Sequence, residues 1–188
     1  MSRWEPNARS RLEQAALKLY VERGFERTTV AEIAKEAGLT ERTFFRHFAD
    51  KREVLFGGSP ALQELLVSAV ADASESAAPI DAVAHALHAA GGLLQQRREY
   101  ARQRQAVITA NAELQERELL KLASLASAMA DALRQRGIPE PAASLTAEAG
   151  IAVLKVAFER WVNDTGQADL PRLIGESLDE LKAVTASK

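Results

Sequence analysis

Cysteine is absent from this 188-residue sequence, and aromatic residues make up only 5% of it. Without cysteine, the chain can form neither a disulfide framework nor a zinc site with thiolate ligands. With few aromatics, the 47% of hydrophobic residues must build a core mainly from alanine, leucine and valine. Most of these residues favour helices, and no segment alternates as a half-buried strand does. The sequence therefore predicts an all-α protein.

Signals for export and catalysis are also missing. The sequence begins without the apolar stretch of a signal peptide, and no uncharged apolar segment approaches the ~20 residues of a membrane span. We therefore expect a cytoplasmic protein. The chain has no nucleophile elbow, no glycine-rich phosphate loop and no recognisable pair of catalytic carboxylates. We expect no enzymatic activity, no catalytic residues and no cofactor.

Charge is divided unevenly along the chain. Residues 1–56 carry a net charge of +2 and residues 57–188 a net charge of −4, which together give the overall −2. A field this weak attracts nucleic acid only slightly. DNA affinity would therefore come from individually placed phosphate contacts.

Apolar residues recur with helical spacing along most of the chain and predict about nine helices. Residues 1–6 form a short polar arm before the first helix. Thr29 and Glu32 have the spacing of a capping box, as do Asp50 and Glu53. We favour a fourth helix that continues from Asp50 to about residue 72, although GGSP at 57–60 could interrupt it. The expected helices are 7–23, 30–37, 41–47, 50–72, 80–95, 97–109, 111–136, 141–163 and 170–184.

Two short predicted helices meet at Gly38, where a tight corner must close. Thr40 can cap the second of them through its hydroxyl. Phe44 anchors one side of that helix in the core, which leaves Arg42 and Arg46 for the opposite side. A short capped helix with exposed basic side chains, held at an angle by a preceding helix, is typical of a helix-turn-helix that enters a DNA groove. We assign residues 1–50 to a DNA-binding domain and 51–188 to a second domain.

The last two predicted helices are apolar over more than half of their circumference. Such helices are covered from two directions, either by a second copy of the chain in a four-helix bundle or by the chain itself. We favour the homodimer. The residues predicted for dimerisation are Ile151, Leu154, Phe158, Trp161, Leu170, Leu173, Ile174, Leu178 and Leu181.

The long helix at 111–136 begins with polar residues on the arc that later becomes apolar, an arrangement that can orient a bound small molecule. Alternatively, this end of the stripe is simply exposed. For Met129, a place in the core or an interface is favoured over a pocket. With few aromatics available, the sequence favours an apolar or amphipathic effector. The candidate ligand-binding residues are His88, Asn111, Gln115, Glu118, Leu122, Leu125 and Met129.

Two further charged groups allow different interpretations. His85 and His88 are three residues apart, but without a third ligand they make a weak metal site, and we expect no metal. The arginines between Arg97 and Arg104 could hold an anionic effector or a domain interface, or they could form a solvated face.

The segment TTVAEIAKEAGLTERTFFRHFADKREVLF resembles the helix-turn-helix of the TetR (tetracycline-repressor) family, and the match extends over about residues 9–56. The resemblance implies a homodimer with an N-terminal DNA-binding domain and a C-terminal domain that binds an effector and dimerises. Phe45 stands where the family usually has tyrosine, so one phosphate hydrogen bond is lost and the ring is left to pack on the sugar edge. The implied phosphate contacts are Thr28, Thr29, Thr40, His47 and Lys51.

The same resemblance places three residues, Glu41, Arg42 and Thr43, at base edges, with Arg46 nearby. Arg42 could bind guanine in a bidentate way or pair with Glu41, and Glu41 could accept from cytosine or only favour the helix N-terminus. His47 could be a plain surface histidine. We expect a ligand-responsive repressor that binds a near-palindromic operator. The alternative is a small-molecule binding protein in which the helix-turn-helix is only structural.

Overall fold

The computed structural model describes residues 7–186, and within this range it contains nine α-helices, one 3₁₀ segment and no strand. The polar arm expected at residues 1–6 lies outside the described residues. The all-α prediction is confirmed, and the helix bounds lie within one or two residues of most of those expected. The helices are α1 (Ala8–Arg23), α2 (Val30–Glu36), α3 (Glu41–His47), α4 (Ser59–Asp72), α5 (Pro79–Gln95), α6 (Arg98–Thr109), α7 (Ala112–Gln135), α8 (Ala142–Asn163) and α9 (Leu170–Thr185).

The expectation of one continuous helix from Asp50 to residue 72 was wrong. A 3₁₀ segment spans Glu53–Phe56, a turn follows, and α4 begins only at Ser59. The two glycines of the turn are poor helix formers, and the ring of Pro60 would clash with the carbonyl of Phe56 in a continuous helix. The GGSP sequence therefore ends one helical segment and begins the next.

The described residues form two compact units. The first contains the residues up to Ser59 together with Gln103–Glu118, and the second contains Pro60–Arg102 and the residues from Leu119 onward. The end of α6 and the beginning of α7 thus belong to the same compact unit as the N-terminal helices. The functional boundary expected at residue 50 stays a prediction.

In the first unit, α1 contacts α2, α3 and the 3₁₀ segment. Leu12, Ala16 and Leu19 of α1 are buried, and Tyr20 meets Phe25 edge-on with 5.1 Å between ring centroids. Ile33 from α2 and Phe44 from α3 are both fully buried. The N-terminal helices therefore share one core, and α3 is held by it.

In the second unit, α5, α8 and α9 pack on one another around a core in which Leu87 and Trp161 are fully buried. The stretch Glu53–Asp72 is, by length and composition alone, apolar enough to cross a membrane, with a mean hydropathy of 1.4. Within it, however, Leu66 and Val70 of α4 are fully buried in this core. Such burial is typical of a core helix in a globular protein.

Candidate nucleic-acid interface

A glycine corner joins α2 to α3. Gly38 has φ +65°, and the following N–H, of Leu39, donates to the carbonyl of Ala34 over 2.8 Å. A left-handed residue at the end of a helix is the usual role of glycine, because a side chain there is strained. Arg11 of α1 donates to the carbonyl of Ala37 over 2.5 Å. The angle between α2 and α3 is therefore set by both the turn and a contact from α1.

Side chains at both ends hold α3 in place. The backbone N–H of Thr43 donates to the Thr40 hydroxyl over 3.2 Å, which confirms the predicted cap. Phe44 is fully buried, and its ring centroid lies 5.7 Å from that of Phe48. A seven-residue helix is marginal alone, so the cap and these aromatic anchors provide its rigidity.

The opposite face of α3 carries the side chains that the sequence assigned to DNA. Four of them are exposed and two are half-buried. The Nε2 atom of His47 is buried and has no hydrogen-bond partner among the described residues. The exposed side chains are Glu41, Arg42, Phe45 and Arg46, and the half-buried ones are Thr43 and His47.

Thr29 caps α2 in the predicted capping box. Its N–H donates to Glu32 Oε2 over 2.9 Å, and the N–H of Glu32 donates to the Thr29 hydroxyl over 3.3 Å. The hydrogen bonds from Thr29 lower the pKa of Glu32 below its usual value. Thr29 is exposed, so it combines this structural role with access to solvent.

Thr28 and Lys51, both predicted to contact phosphate, point into the first unit instead. Thr28 is 1% exposed, and its hydroxyl donates to the carbonyl of Gly24 over 2.9 Å. The ammonium of Lys51 donates to the carbonyls of Phe25, Thr28 and Glu26 over 2.9, 3.2 and 3.3 Å. A lysine has only three protons to donate. These contacts therefore tie the loop between α1 and α2 to the segment after α3.

A network of ion pairs fixes the segment that follows α3. Asp50 pairs with Arg52 over 2.8 Å and with Arg117 over 3.6 Å, while Arg52 also reaches Glu113 over 3.4 Å. Arg117 pairs with Glu53 as well, and the N–H of Glu53 donates to Asp50 Oδ1 over 3.0 Å, which is one half of the second predicted capping box. Partial burial of Asp50 acts to raise its pKa, but hydrogen bonds from Arg52 and the Glu53 N–H outweigh burial and lower the pKa. The first turn of α7 is thereby joined to residues 50–53.

Two of the arginines between Arg97 and Arg104 form hydrogen bonds and ion pairs with other residues of the same chain. Arg104 donates to the carbonyl of Leu55 over 2.6 Å and pairs with Glu118 over 3.1 Å. Arg98 donates to the carbonyls at the end of α8, while Arg97 lies 4.2 Å above the ring of Tyr100. The solvated-face interpretation is wrong for Arg98 and Arg104, whose side chains are mostly covered.

The predicted ligand-binding residues are divided between the two units. Asn111, Gln115 and Glu118 belong to the first. The amides of Asn111 and Gln115 donate to nearby carbonyls over 2.7 Å, and Glu118 pairs with Arg104. The other four belong to the second unit: His88 is exposed, Leu122 half-buried, and Leu125 and Met129 lie in the core.

Grooves occur in both units. One in the first unit, of about 390 Å³, is lined by Val21, Phe25 and Val107 and includes Asn111. A smaller groove of about 250 Å³ lies between α7 and α8 and includes none of the predicted ligand-binding residues. Within residues 7–186, His, Asp and Glu side chains form no group of three that could hold a metal ion.

The breadth of the apolar arcs on α8 and α9 is explained within a single chain. Three predicted dimerisation residues, Phe158, Leu173 and Leu181, are half-buried. The other six are at most 5% exposed and lie in the core of the second unit. Those six are Ile151, Leu154, Trp161, Leu170, Ile174 and Leu178.

A second apolar stripe on α8 remains at the surface. Leu145 is 66% and Val156 52% exposed, and between them Ala149 is half-buried and Ala152 exposed. Sequence reasoning missed these residues, although their spacing of four, three and four is that of a helix–helix seam.

Two family profiles match the chain. The profile described as bacterial regulatory proteins, tetR family, matches residues 13–56. The profile described as the MftR C-terminal domain matches residues 77–186, more than half of the chain. The chain belongs to the TetR family. The resemblance that the helix-turn-helix indicated is thereby confirmed, and it extends to the C-terminal domain.

A curated relative of this TetR-family chain agrees with the assignment. The HTH-type transcriptional regulator TcmR of Streptomyces glaucescens is 37% identical over 84 residues, which is 45% of this chain and 37% of TcmR. The chain therefore matches little more than a third of the length of this relative. The matched family profile describes bacterial regulatory proteins, and TcmR is itself an HTH-type transcriptional regulator.

Solved structures share the fold. The SmeT–triclosan complex has a TM-score of 0.67 at 21% identity, with 94% of this chain and 90% of SmeT covered. FadR from Bacillus subtilis, in complex with stearoyl-CoA, has a TM-score of 0.63 at 21% identity, with 92% and 96% covered. Each of these two structures thus shares its fold with more than nine-tenths of the chain.

Proposed function

We propose that this TetR-family regulator is a homodimeric, effector-responsive repressor that binds a near-palindromic operator. The observation that carries the proposal is the exposed face of α3. Arg42 and Arg46 project from a short helix whose ends are fixed by the Thr40 cap and by Phe44. Basic side chains on a rigid helix provide the donors that read base edges in a major groove.

The side chains of the interface have three roles in the proposal: phosphate contact, indirect support of the interface and base-edge contact. Thr29, Thr40 and His47 are the phosphate contacts of the proposal. Thr28 and Lys51 act indirectly, by holding the loop before α2 against the segment after α3. The base-edge contacts of the proposal are Glu41, Arg42 and Thr43, with Arg46 beside them.

The second copy binds on α8. The exposed stripe Leu145, Ala149, Ala152 and Val156 supports this, because exposed apolar residues at helical spacing mark an interaction surface. A two-fold related copy would place the same stripe against itself. The two α3 helices would then enter major grooves about one helical turn, ~34–36 Å, or a multiple of that distance apart.

The effector is an apolar or amphipathic small molecule, and the regulator acts in the cytoplasm. Proteins of the same fold have been solved with stearoyl-CoA and with triclosan. Triclosan is largely apolar, and stearoyl-CoA is amphipathic, because it joins an apolar acyl chain to a charged nucleotide. An effector releases DNA only if it binds the non-operator conformation more tightly than the operator-bound one. We expect it to meet that condition.

The test begins with selection of bound duplexes from a random DNA library by the full-length protein. A single enriched near-palindrome is expected, with affinity that falls steeply as salt rises. Arg42→Ala should cost about 1–3 kcal/mol on that operator and relax base preference at one position. Arg102→Ala, which removes an exposed arginine of the second unit, is the matched control and should leave binding unchanged.

One experimental result would contradict the regulator proposal. A folded, dimeric protein that enriches no sequence and binds no duplex would overturn the regulator proposal. It would favour the alternative of a small-molecule binding protein with a structural helix-turn-helix.

A further inference from the structure

The aromatic ring of Phe45 is exposed to solvent, where an apolar group is unfavourable. Its side chain is 55% exposed, and it is the one aromatic among the large exposed hydrophobic residues of the described chain. Phe44, its neighbour, is fully buried, and the two rings meet edge-on with 5.4 Å between centroids. Phe45 is therefore held outward by an aromatic contact at its base.

Charged side chains surround this ring on α3. At 100° per residue, Phe45 projects between Glu41 and Arg42, and Arg46 follows on the same exposed side. The phenyl ring can neither donate nor accept a conventional hydrogen bond. If α3 enters a major groove, the ring therefore needs an apolar partner on the DNA.

In the major groove, the base edge that presents an apolar group is that of thymine, through its 5-methyl. We propose that Phe45 is a specificity-determining residue whose ring contacts the 5-methyl group of one thymine in each half-site. The inference rests on the proposed function and adds one base preference to it. A ring that packed only on deoxyribose would strengthen binding without selecting a base.

Deoxyuridine tests the contact, because it pairs as thymine does and lacks only the methyl group. The probe is a synthetic duplex of the selected operator in which each thymine is replaced singly, and symmetrically in both half-sites, by deoxyuridine. At one position, affinity of the wild-type protein should fall about fourfold per half-site, the loss expected for one buried methyl group. The Phe45→Ala protein should bind the thymine and deoxyuridine duplexes equally.

Two further variants separate the methyl contact from folding. Phe45→Leu keeps an apolar side chain and should retain part of the discrimination. Val21→Ala removes a comparably exposed hydrophobic residue from α1, where Val21 is 54% exposed, and should retain all of it. Thermal unfolding of each variant shows whether the fold is intact.

Three outcomes would overturn the inference while leaving the proposed function intact. Operator binding could be insensitive to deoxyuridine at every position. The sensitivity could be the same in Phe45→Ala as in wild type. Phe45→Ala could weaken all duplexes alike, which would place the ring on the sugar. Absence of any selected operator would instead contradict the proposed function.

Discussion

The ammonium of Lys51 donates to the carbonyl oxygen of Phe25 over 2.9 Å and lies 4.3 Å from the centroid of the Phe25 ring. Tyr20 joins the pair from α1, because its buried hydroxyl donates to the carbonyl of Lys51 over 2.6 Å. Burial also raises the pKa of the Tyr20 hydroxyl, so this donor stays protonated. The end of α1, the loop before α2 and the segment after α3 thus meet at Lys51.

Replacing Lys51 by methionine should therefore destabilise the folded chain, in addition to any effect on DNA. Three carbonyls lose a charged donor, and we expect the free energy of unfolding to fall by about 1–2 kcal/mol, allowing for partial solvent exposure. Urea unfolding followed by circular dichroism measures it. Lys35→Met, at an exposed position on α2, should change stability by less than about 0.5 kcal/mol. Equal stability of both variants would show that the Lys51 contacts contribute nothing.

Gly91 and Gly92 on α5 should respond to alanine with opposite signs. A Cβ at Gly91 would lie 2.8 Å from Ile174 Cδ1 and 3.3 Å from the backbone nitrogen of Pro171, whereas a Cβ at Gly92 meets nothing within 4 Å. Gly91→Ala should destabilise by about 1–3 kcal/mol through overpacking. Gly92→Ala should stabilise by about 0.5–1 kcal/mol through helix propensity. Thermal unfolding of the two variants measures both effects. Stabilisation by Gly91→Ala would show that the Ile174 side chain and the Pro171 backbone accommodate the added methyl group without overpacking.

Arg98→Ala should weaken the end of α8. The guanidinium donates to the carbonyls of Trp161, Asp164 and Gly166 over 2.9, 2.8 and 2.7 Å, so its removal leaves helix-terminal carbonyls without a partner. We expect a loss of about 1–3 kcal/mol in unfolding free energy.

Hydrogen exchange at the end of α8 is the sharper measurement for Arg98, since the amides of residues 161–168 should lose protection selectively. Arg102→Ala, at an exposed position of the same run, provides the control. If protection fell equally in the two variants, the capping interpretation of Arg98 would be untenable.

Replacing Asp50 by asparagine should reduce the loss of unfolding free energy that occurs as the pH falls. The pKa of Asp50 is lowered in the folded chain, because bonds from Arg52 and the Glu53 N–H outweigh the opposing effect of burial. A carboxylate with a lowered folded pKa contributes stability above its unfolded pKa, near 3.8, and loses it as pH falls through the folded value.

The stability gap between wild type and Asp50→Asn should therefore be largest at neutral pH and shrink below about pH 4. Urea unfolding at several pH values between 7 and 2.5 measures this gap. A gap that stayed constant over the whole range would show that ionisation of Asp50 plays no part.

Local signals made the helices predictable. Thr29 and Thr40 cap the helices that follow them, and Gly38 closes the corner between α2 and α3. Each acts within a few residues along the chain, so its effect is visible in the sequence. The break after Phe56 was also encoded locally, in two glycines and Pro60, but apolar periodicity on both sides of it favoured continuity.

Side-chain partners far apart in the sequence were not predictable in this way. Lys51 follows α3 like a phosphate-binding lysine, yet its partners lie on the loop around residue 26. Trp161 belongs to an arc wide enough for a second copy, yet it is fully buried by its own chain.

The sequence by itself determined the helix-turn-helix, its caps and the outward placement of Arg42 and Arg46, because these depend on helical spacing and on turns of a few residues. Only the tertiary structure decided that Gln103–Glu118 belongs to the same compact unit as the N-terminal helices. The reason is physical: Arg104 and Arg117 meet Leu55, Asp50 and Glu53 about fifty or more residues away. Such pairings arise from chain packing, and no local pattern distinguishes these arginines from solvated ones.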